Sequence, residues 1–515
     1  MRVLIFRGYL LRGTGSNVYN ASLAQALARL GHEVHLLCQD RNAGELDWVD
    51  SVGGAGRPGA VTVHNPEIGG LLPVYVADSY AGFEVKTFAQ LTDVELERYL
   101  EANVNAVRAV VDAAGRPDAA LANHLVMGPA ILARAGLGSG DGGPGFAAKV
   151  HGSALEYTVK PEPERFLPFA GEGMDAASGV LVGSRHTGES LWQALELPGL
   201  KQKTRLGPPG VDVDLFAPAS GEAEARRGLL DLALDLKRDT AEGAATAWGR
   251  DPRTAADAVE WFAQDGGPRA LFVGKLIVSK GVDLLLAAWP LVLAAHPDAR
   301  LLVVGFGEYR ETLQRLWMGL ATGNADTGRQ IAERGRGLEG GPEGRLDMLG
   351  DFLEDGDRAS RDYYRAAVAA PGSVRFAGRL EHGEVARVAP AADALVFPST
   401  FPEAFGMVAA EAAAAAALPI GAAHSGIAEV SRELAAALPD ATASLVSFEL
   451  GERAIEGIAQ RLTAWFEAGE ADRQATRAAL RQTVARLWSW EGVAGGVIAA
   501  SEGRLDDVLH VPGPS

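Results

Sequence analysis

The stretch MRVLIFRGYLLRGTGSNVYNASLAQALARLGHEVHLLCQ, Met1 to Gln39, contains the unit from which the fold can be predicted. An apolar strand at 2–6 is followed by a glycine-containing loop and by a helical pattern in which Leu23, Leu27 and Leu30 recur at helical spacing. The next glycine ends the helix, and the apolar run EVHLLCQ begins a second strand. A strand, an amphipathic helix and a further strand indicate parallel strands joined by a crossover helix.

The same alternation continues along the chain and restarts once, after residue 218. Further predicted strands are AALANH (119–124), AAKVHGS (147–153), GVLVGS (179–184), ALFVGK (270–275), RLLVVGFG (300–307), RFAGRL (375–380) and ALVFPS (394–399). The pattern predicts an α/β fold with two doubly wound domains in tandem. The predicted parts are a first domain at 1–218 with a C-terminal helix at about 486–515 packing back on it, a charged helical insertion or linker at 219–268, and a second domain at 269–485 with an insertion at about 310–372.

Composition narrows the class of protein. With 515 residues, of which 47% are hydrophobic, the chain is expected to form two or three globular domains. A net charge of -18 argues against a nucleic-acid binder. The single cysteine, Cys38, allows no disulfide within the chain, and the N-terminal apolar run is too short for a signal peptide. No apolar run approaches the roughly 20 residues of a membrane span, so none is expected. The cysteine usage fits a reducing compartment, and we expect a cytoplasmic protein.

The polar residues that stand out follow predicted strands. Ligands of parallel α/β sheets bind outside the carboxyl ends of the strands, in the loops that lead into helices. Each residue alone has an ordinary interpretation, because lysines are often solvated, glycines make tight turns and a histidine after a strand is often structural. Their shared position is what indicates one ligand site. The residues are Gly13 and Gly15 after the first strand, His151 after AAKV, Lys275 and Lys280 after ALFVG, and Glu403 after ALVFPS.

Two carboxylates in FPEAFGMVAAE, Glu403 and Glu411, are eight positions apart. A fully helical connection would separate them by roughly 12 Å, whereas glycosidases hold their carboxyl pair about 5–9.5 Å apart. The wider spacing suits two acceptors that bind different parts of one long ligand. Between them, the amides of Phe405, Gly406 and Met407 are expected to open a helix, whose N-terminus attracts phosphate. Carboxylate, amides and carboxylate in this order favour a ligand made of a sugar, a diphosphate and a ribose.

The segment FPSTFPEAFGMVAAEAAAAAALPIGAAHSGIAEV resembles the E-x7-E region of the retaining GT-B glycosyltransferases of family 4. GKLIVSKGVDLLLAAW resembles the basic and Lys-Gly element of that family, and the N-terminal loop, the His151 element, PPGVDVDLFAP, FAGRL and SWEGVA match in order. The resemblance covers nearly the whole chain outside 219–268 and 310–372. It implies two Rossmann-like domains facing each other across a cleft. It also implies that a sugar moves from a nucleoside-diphosphate sugar to an acceptor hydroxyl with retention of anomeric configuration.

The resemblance implies a role for each site residue. Lys275 and Lys280 would neutralise the leaving diphosphate, Glu403 would bind hydroxyls of the transferred sugar, and His151 would lie near the reacting face of that sugar. The family usually has arginine at the first basic position, so Lys275 offers a point charge instead of a planar fork. The implied donor-binding residues are Gly15 for the phosphate, Phe405, Gly406 and Met407 for the sugar or diphosphate through their amides, Arg379 for the base, and Glu411 for the ribose.

The sequence contains neither a DxD-type metal site at a strand end nor a cysteine and histidine cluster with zinc spacing. We therefore expect a metal-independent hexosyltransferase with no cofactor. Its expected partners are a nucleoside-diphosphate sugar, with uracil, guanine and adenine all open as the base, and a small-molecule or glycan acceptor, with a soluble one favoured. No nucleic acid or transmembrane segment is expected, and a homo-oligomer is compatible. The alternatives are a nucleotide-sugar epimerase or a sugar phosphorylase on the same two-domain fold, or a noncatalytic sugar-binding protein.

Overall fold

The computed structural model describes residues 1–11, 15–75, 80, 82–138, 145–239 and 249–512. The chain divides into two compact units. The first unit comprises Met1–Gly210 and Trp488–Ser515, and the second comprises Val211–Leu487. The C-terminal residues therefore return to the first unit, and the segment 219–268 belongs to the second.

The first unit is built around a parallel sheet. Its strands are β1 (Arg2–Phe6), β2 (Glu33–Leu37), β3 (Ser51–Val52), β4 (Ala60–His64), β5 (Leu71–Val74), β6 (Glu84–Thr87), β7 (Ala119–Asn123), β8 (Phe146–Val150), β9 (Gly179–Val182) and β10 (Thr204–Leu206). Eight of them lie in the order β10-β9-β8-β7-β1-β2-β4-β3, and β5 pairs separately with β6. The strand order reverses between β1 and β7, and ligands of doubly wound sheets bind at such a reversal.

Helices cover both faces of this sheet. The helices before the second unit are α1 (Ser16–Arg29), α2 (Asp93–Ala114), α3 (Gly128–Arg134), α4 (Pro163–Ala176) and α5 (Arg185–Leu195). Successive side chains of a strand point to opposite faces, and those of β1 accordingly join two separate cores. Val3 and Ile5 lie in one core with Leu23 of α1, whereas Leu4 and Phe6 lie in the other with side chains of α2 and α4. The predicted doubly wound arrangement is confirmed for this unit.

The second unit repeats the plan. Its strands are β11 (Arg269–Val273), β12 (Arg300–Val304), β13 (Val374–Gly378), β14 (Ala394–Phe397), β15 (Leu418–Ala422) and β16 (Ser447–Phe448). Its helices are α6 (Glu222–Arg238), α7 (Pro252–Phe262), α8 (Val282–Ala295), α9 (Arg310–Ala321), α10 (Ala325–Arg334), α11 (Asp347–Glu354), α12 (Arg361–Ala369), α13 (His382–Val388), α14 (Met407–Ala414), α15 (Ser425–Ala435), α16 (Asp440–Ala443), α17 (Ala454–Glu467) and α18 (Glu470–Leu487). The parallel strands lie in the order β13-β12-β11-β14-β15-β16, so this sheet reverses between β11 and β14.

The chain then returns to the first unit as α19 (Trp490–Ser501), whose Trp490 and Ala494 pack with α1 in the first core. Every strand predicted from the sequence is found, and the α/β class is confirmed. The strands that were not among the predicted ones are β3, β4, β5, β6, β10, β15 and β16. Within the described ranges, the helices of both units fall short of the combined length and apolarity that crossing a membrane requires.

Two segments that the family resemblance does not cover form helices of the second unit. In 219–268, α6 packs against α7, which in turn packs against β13; residues 240–248 between them lie outside the described ranges. In 310–372, the helices α9 to α12 connect β12 to β13, and α9 and α12 pack against α8. Buried side chains such as Leu313, Trp317 and Phe352 anchor this second segment to the unit.

Candidate active site

Two oppositely charged side chains meet where the sheet of the second unit reverses. Lys280 lies in the loop after β11 and Glu403 in the loop after the neighbouring β14, so both are at carboxyl ends of adjacent strands. The Nζ atom of Lys280 is 2.7 Å from Oε1 of Glu403, and the two side chains are 30% and 27% exposed. The pair is therefore open to a ligand that brings its own charges and hydroxyls.

Backbone contacts dock the two loops on each other. Gly281 ends the lysine-bearing loop with a φ of 64°, and a Cβ at this position would collide with the carbonyl oxygen of Pro398. The N–H of Thr400 donates to the carbonyl of Ser279 at 2.9 Å. Glycine is required here for both reasons, the left-handed backbone and the close approach. The fold thereby sets the distance between Lys280 and Glu403.

The segment after Glu403 leads into α14, which begins at Met407. The backbone of Glu403 is tied to the start of α15, because its N–H donates to Oγ of Ser425 at 3.0 Å and its carbonyl accepts from the N–H of Gly426 at 2.9 Å. The first turn of α14 consists of apolar residues, MVAA. Helix N-termini direct backbone N–H groups outward and attract anions. The N-terminus of α14 follows Glu403 closely in the sequence.

Glu411 forms a separate pair with a residue that the sequence interpretation missed. It lies on α14, is 8% exposed, and its Oε1 is 2.9 Å from Nε2 of His382, the first residue of α13. Burial disfavours the charged imidazole, but the hydrogen bond and the negative charge of Glu411, together with Asp212, raise the pKa of His382 above its ordinary value. His382 follows the predicted strand RFAGRL, so the strand-end criterion applied to the other candidates also selects it.

The remaining donor-side candidates lie at neighbouring strand ends. Lys275 is half-buried and follows β11 in the same loop as Lys280. Arg379 follows β13, where its guanidinium lies 3.2 Å from a carboxylate oxygen of Glu381 and 5.3 Å from the ring centre of Phe306. The structure thus brings Lys280 and Glu403 into contact and places Lys275 and Arg379 on the same edge of the sheet.

In the first unit, His151 belongs to a network of hydrogen bonds around Asn123. The side-chain amide of Asn123 donates to the carbonyl of Phe6 at 3.1 Å and to Oδ1 of Asn20 at 2.7 Å. A carbonyl accepts only, so Oδ1 of Asn123 is the acceptor toward Nε2 of His151, at 2.8 Å. Burial, and then the charges of His124, Lys149 and Arg7, hold the pKa of His151 well below its ordinary value. His151 is therefore neutral, with its proton on Nε2 and an acceptor at Nδ1.

The loop before α1 is held by a buried arginine that the sequence interpretation also missed. Gly15 precedes α1 with a φ of 60°, and Gly13 lies outside the described residues. Arg7, which directly follows β1, donates to Oγ of Ser16 at 2.8 Å and approaches Nε2 of His124 at 2.7 Å. Because guanidinium only donates, His124 accepts through Nε2. The reversal of the first sheet thus carries a largely buried network instead of an open ion pair.

Among the residues that the structure describes, no group of three or more histidine, cysteine, aspartate or glutamate side chains is arranged to hold a metal ion. The arrangement of the second unit offers cations, a helix N-terminus and carboxylates, which are the groups that bind a phosphorylated ligand with hydroxyls.

Three family models match the chain. The model described as glycosyl transferase 4-like domain matches residues 14–198, and two models described as glycosyl transferases group 1 match 267–334 and 341–480. Together they cover most of the sequence, with one kind of model in each unit.

Among curated proteins, the chain is 33% identical over 158 residues to the GDP-mannose-dependent monoacylated alpha-(1-6)-phosphatidylinositol monomannoside mannosyltransferase of Corynebacterium glutamicum. It is 27% identical over 171 residues to the GDP-mannose-dependent alpha-(1-6)-phosphatidylinositol monomannoside mannosyltransferase of Mycolicibacterium smegmatis. These alignments span 28% and 33% of this chain and only 38% and 35% of the two relatives.

Solved structures show the fold. The chain is similar to sucrose-phosphate synthase from Thermosynechococcus elongatus, with a TM-score of 0.53, 18% identity and 96% of both chains covered. It is also similar to the Anabaena protein Alr3699/HepE in complex with UDP-glucose, with a TM-score of 0.54, 15% identity and 96% and 98% covered. The two-domain α/β architecture is that of the GT-B fold. By its matched segments at 14–198, 267–334 and 341–480, this chain belongs to the glycosyl transferases group 1, the GT-B glycosyltransferases of family 4.

Proposed function

We propose that the chain transfers a hexose from a nucleoside-diphosphate sugar to an acceptor hydroxyl, with retention of anomeric configuration. The observation that carries the proposal is the partly exposed Lys280–Glu403 pair at the reversal of the second sheet. Glu403 is followed in the sequence by the N-terminus of α14. The relatives support the class of donor, since their names specify GDP-mannose, and the HepE structure contains UDP-glucose.

In this proposal the donor lies along the carboxyl ends of β11, β13 and β14. Glu411 accepts hydrogen bonds from the ribose, and the amides of Phe405, Gly406 and Met407 face the diphosphate or the sugar. The contact with His382 supports the ribose role, because the hydrogen bond between Nε2 of His382 and Oε1 fixes the orientation of the largely buried Glu411 carboxylate. The backbone near Arg379 contacts the base, and the backbone of Gly15 contacts the phosphate.

Lys275 and Lys280 stabilise the charge of the departing diphosphate. That charge grows as the bond between the anomeric carbon and the phosphate oxygen breaks, so cations fixed in advance lower the barrier. When the donor binds, Lys280 shares its N–H groups between Glu403 and the diphosphate, and Glu403 accepts hydrogen bonds from sugar hydroxyls. The two lysines take the part of a divalent ion, and the reaction is metal-independent and needs no cofactor.

Retention follows when the acceptor attacks from the face that the diphosphate leaves. The acceptor oxygen forms the new bond to the anomeric carbon, the phosphate oxygen keeps the electron pair of the old one, and the acceptor proton passes to that phosphate oxygen. His151 contacts the sugar near its reacting face in this proposal. Its neutral imidazole offers a hydrogen-bond acceptor at Nδ1 and adds no positive charge.

For the acceptor we propose a hydroxyl of a small molecule or glycan, acted on in the cytoplasm. The names of the two mannosyltransferase relatives specify phosphatidylinositol mannosides. These names are the reason to include a lipid-linked glycan in any screen. It is the second acceptor and not the first, because the alignments cover only part of each protein.

The proposal is tested by nucleotide release. Purified chain is incubated with UDP-glucose, GDP-mannose or ADP-glucose, alone and with hexoses, oligosaccharides or mannosylated phosphatidylinositol in vesicles. We expect one donor to release its nucleoside diphosphate much faster with one acceptor, and NMR to show an α-linked product from the α-linked donor. Conversion of the sugar without acceptor would favour an epimerase, and release from no donor would contradict the proposal.

A further inference from the structure

One carboxylate of the segment between β12 and β13 reaches the loop that carries both lysines. Glu339 ends a 3₁₀ turn, Arg336–Glu339, and its Oε2 accepts a hydrogen bond from the backbone N–H of Val278 at 2.7 Å. The Glu339 side chain is only 10% exposed, so this bond is largely shielded from water. Val278 lies between Lys275 and Lys280 in the chain. A residue between the two stretches matched by the group 1 models therefore contacts the loop on which the proposed catalysis depends.

The contact provides a hydrogen-bond acceptor for a backbone N–H group of the loop. Val278 begins a 3₁₀ turn, Val278–Lys280, and the first N–H groups of a helical turn have no partner inside it. The preceding residue, Ile277, provides no side-chain cap. Glu339 provides the missing acceptor from 61 positions away, and because its carboxylate is charged the bond is stronger than one between neutral groups.

The other backbone contacts of this loop come from neighbouring strand ends and leave Val278 between them. The N–H of Leu276 donates to the carbonyl of Phe306 at 2.7 Å, on the side of β12. The carbonyl of Ser279 accepts from Thr400 at 2.9 Å, on the side of β14. Glu339 holds the backbone between these two attachments, which is the part of the loop that leads into Lys280.

We propose that Glu339 is a positioning residue for Lys275 and Lys280, because it fixes the turn from which they reach the diphosphate. The inference rests on the proposed function of the two lysines. Both oxygens of the carboxylate have partners within the protein, since Oε2 accepts from the N–H of Val278 and Oε1 lies 3.3 Å from Nε of Arg336. Misplacing a catalytic group by an ångström or so reduces the rate markedly, so the loss of this contact affects diphosphate binding and turnover more than stability.

The test compares Glu339→Ala, Glu339→Gln and the control Glu343→Ala, which removes an exposed carboxylate of the same segment. Calorimetric titration measures the affinity of each chain for UDP, GDP and ADP and for the matching nucleosides. We expect Glu339→Ala to lower the affinity for the diphosphate that the wild type binds by about tenfold, on the scale of one hydrogen bond to a charged group. Nucleoside binding stays unchanged, because it does not involve the lysines. Glu339→Gln keeps an acceptor oxygen and recovers most of the affinity, and Glu343→Ala behaves as the wild type.

The outcomes separate this inference from the proposed function. A wild-type chain that binds none of the three diphosphates contradicts the proposed function, and the inference falls with it. Diphosphate binding that is equal in Glu339→Ala and the wild type overturns the positioning role alone, as does an equal loss for diphosphate and nucleoside. If Glu339→Ala does not fold, Glu339→Asp withdraws the oxygen while keeping the charge, and a diphosphate affinity equal to that of the wild type then overturns the inference.

Discussion

At the reversal of the second sheet, Lys280 and Glu403 form a half-exposed ion pair, whereas the corresponding edge of the first sheet carries the hydrogen-bonded network of Asn123 and His151. Asn123 is 1% exposed, and each of its side-chain atoms that can hydrogen-bond has a protein partner. Charged pairs open to solvent contribute little to stability, and they exchange partners easily. Buried amide networks are costly to break. The same topology thus supports an edge suited to binding charge and an edge that fixes backbone geometry.

The largest expected effect is on turnover and concerns the second unit. Lys280→Ala should lower kcat/KM by about 10²-fold or more, on the scale of losing one donor that stabilises a transition state. The thermal midpoint should change little, because the Lys280–Glu403 pair is half-exposed. The matched control is Lys237→Ala, which removes an exposed lysine of α6. A kcat/KM for Lys280→Ala that equals that of the control would remove Lys280 from the leaving-group role.

The opposite result is expected in the first unit. Asn123→Ala should lower the free energy of unfolding by about 2 kcal/mol, since it leaves buried partners without a hydrogen bond. Chemical denaturation measures the change, and the exposed Asn105→Ala on α2 should stay within about 0.5 kcal/mol of the wild type. If the Asn123 variant were as stable as its control, the network would not be the structural element described here.

The two edges should also respond to pH with opposite signs. The pKa of His382 is raised in the folded protein, so its contribution to stability is full below the pKa of an unfolded histidine, about 6.5, and is lost as pH rises through the folded value. The pKa of His151 is lowered, so the folded protein loses stability as pH falls below about 6.5.

Thermal midpoints of the wild type and two variants, measured from pH 5 to pH 8.5, check these opposite pH dependences of stability. The destabilisation caused by His382→Gln should be greatest at the acid end of the series and shrink toward pH 8.5. His151→Gln should show its greatest destabilisation at the alkaline end, because it removes the acid sensitivity of the wild type. Parallel curves for the two variants would show that the edges do not differ in this way.

The smallest expected effect is that of metal removal. If Lys275 and Lys280 neutralise the diphosphate, transfer activity should persist in excess EDTA. Activity assays with EDTA, followed by addition of Mn²⁺ or Mg²⁺, check this point. Loss of activity that either ion restores would show that the second unit uses a metal in addition to its lysines.

The sequence predicted the parts of the fold that depend on local pattern. Buried parallel strands are short apolar runs between glycine, proline and helical stretches, and ALFVGK and ALVFPS fit this description. β15 was missed because LPIGA contains proline and glycine and follows an alanine-rich helix. β4 was missed because AVTVH contains two polar residues and follows a glycine-rich stretch. These two strands are determined by pairing with β14 and β2, which no local pattern reveals.

The candidate site was predicted in its positions and not in its pairings. Strand-end position was enough to select Lys280 and Glu403, but the contact between them joins residues 123 positions apart. His382 and Arg7 also follow predicted strands, but their roles depend on which loops the fold brings together. Glu339 lies between the two matched stretches of the second unit, 267–334 and 341–480, so neither pattern nor resemblance pointed to it.

The central claim is that Glu403 binds the sugar and Glu411 the ribose of one donor. Calorimetric titration of Glu403→Gln and Glu411→Gln with the nucleoside diphosphate and with the intact donor tests it most directly. Glu411→Gln should weaken the binding of both ligands by about 1–2 kcal/mol, because a charge-assisted hydrogen bond becomes a neutral one. Glu403→Gln should leave the diphosphate unchanged and lower kcat with the intact donor. Equal losses for both ligands in both variants would contradict this division between the two carboxylates.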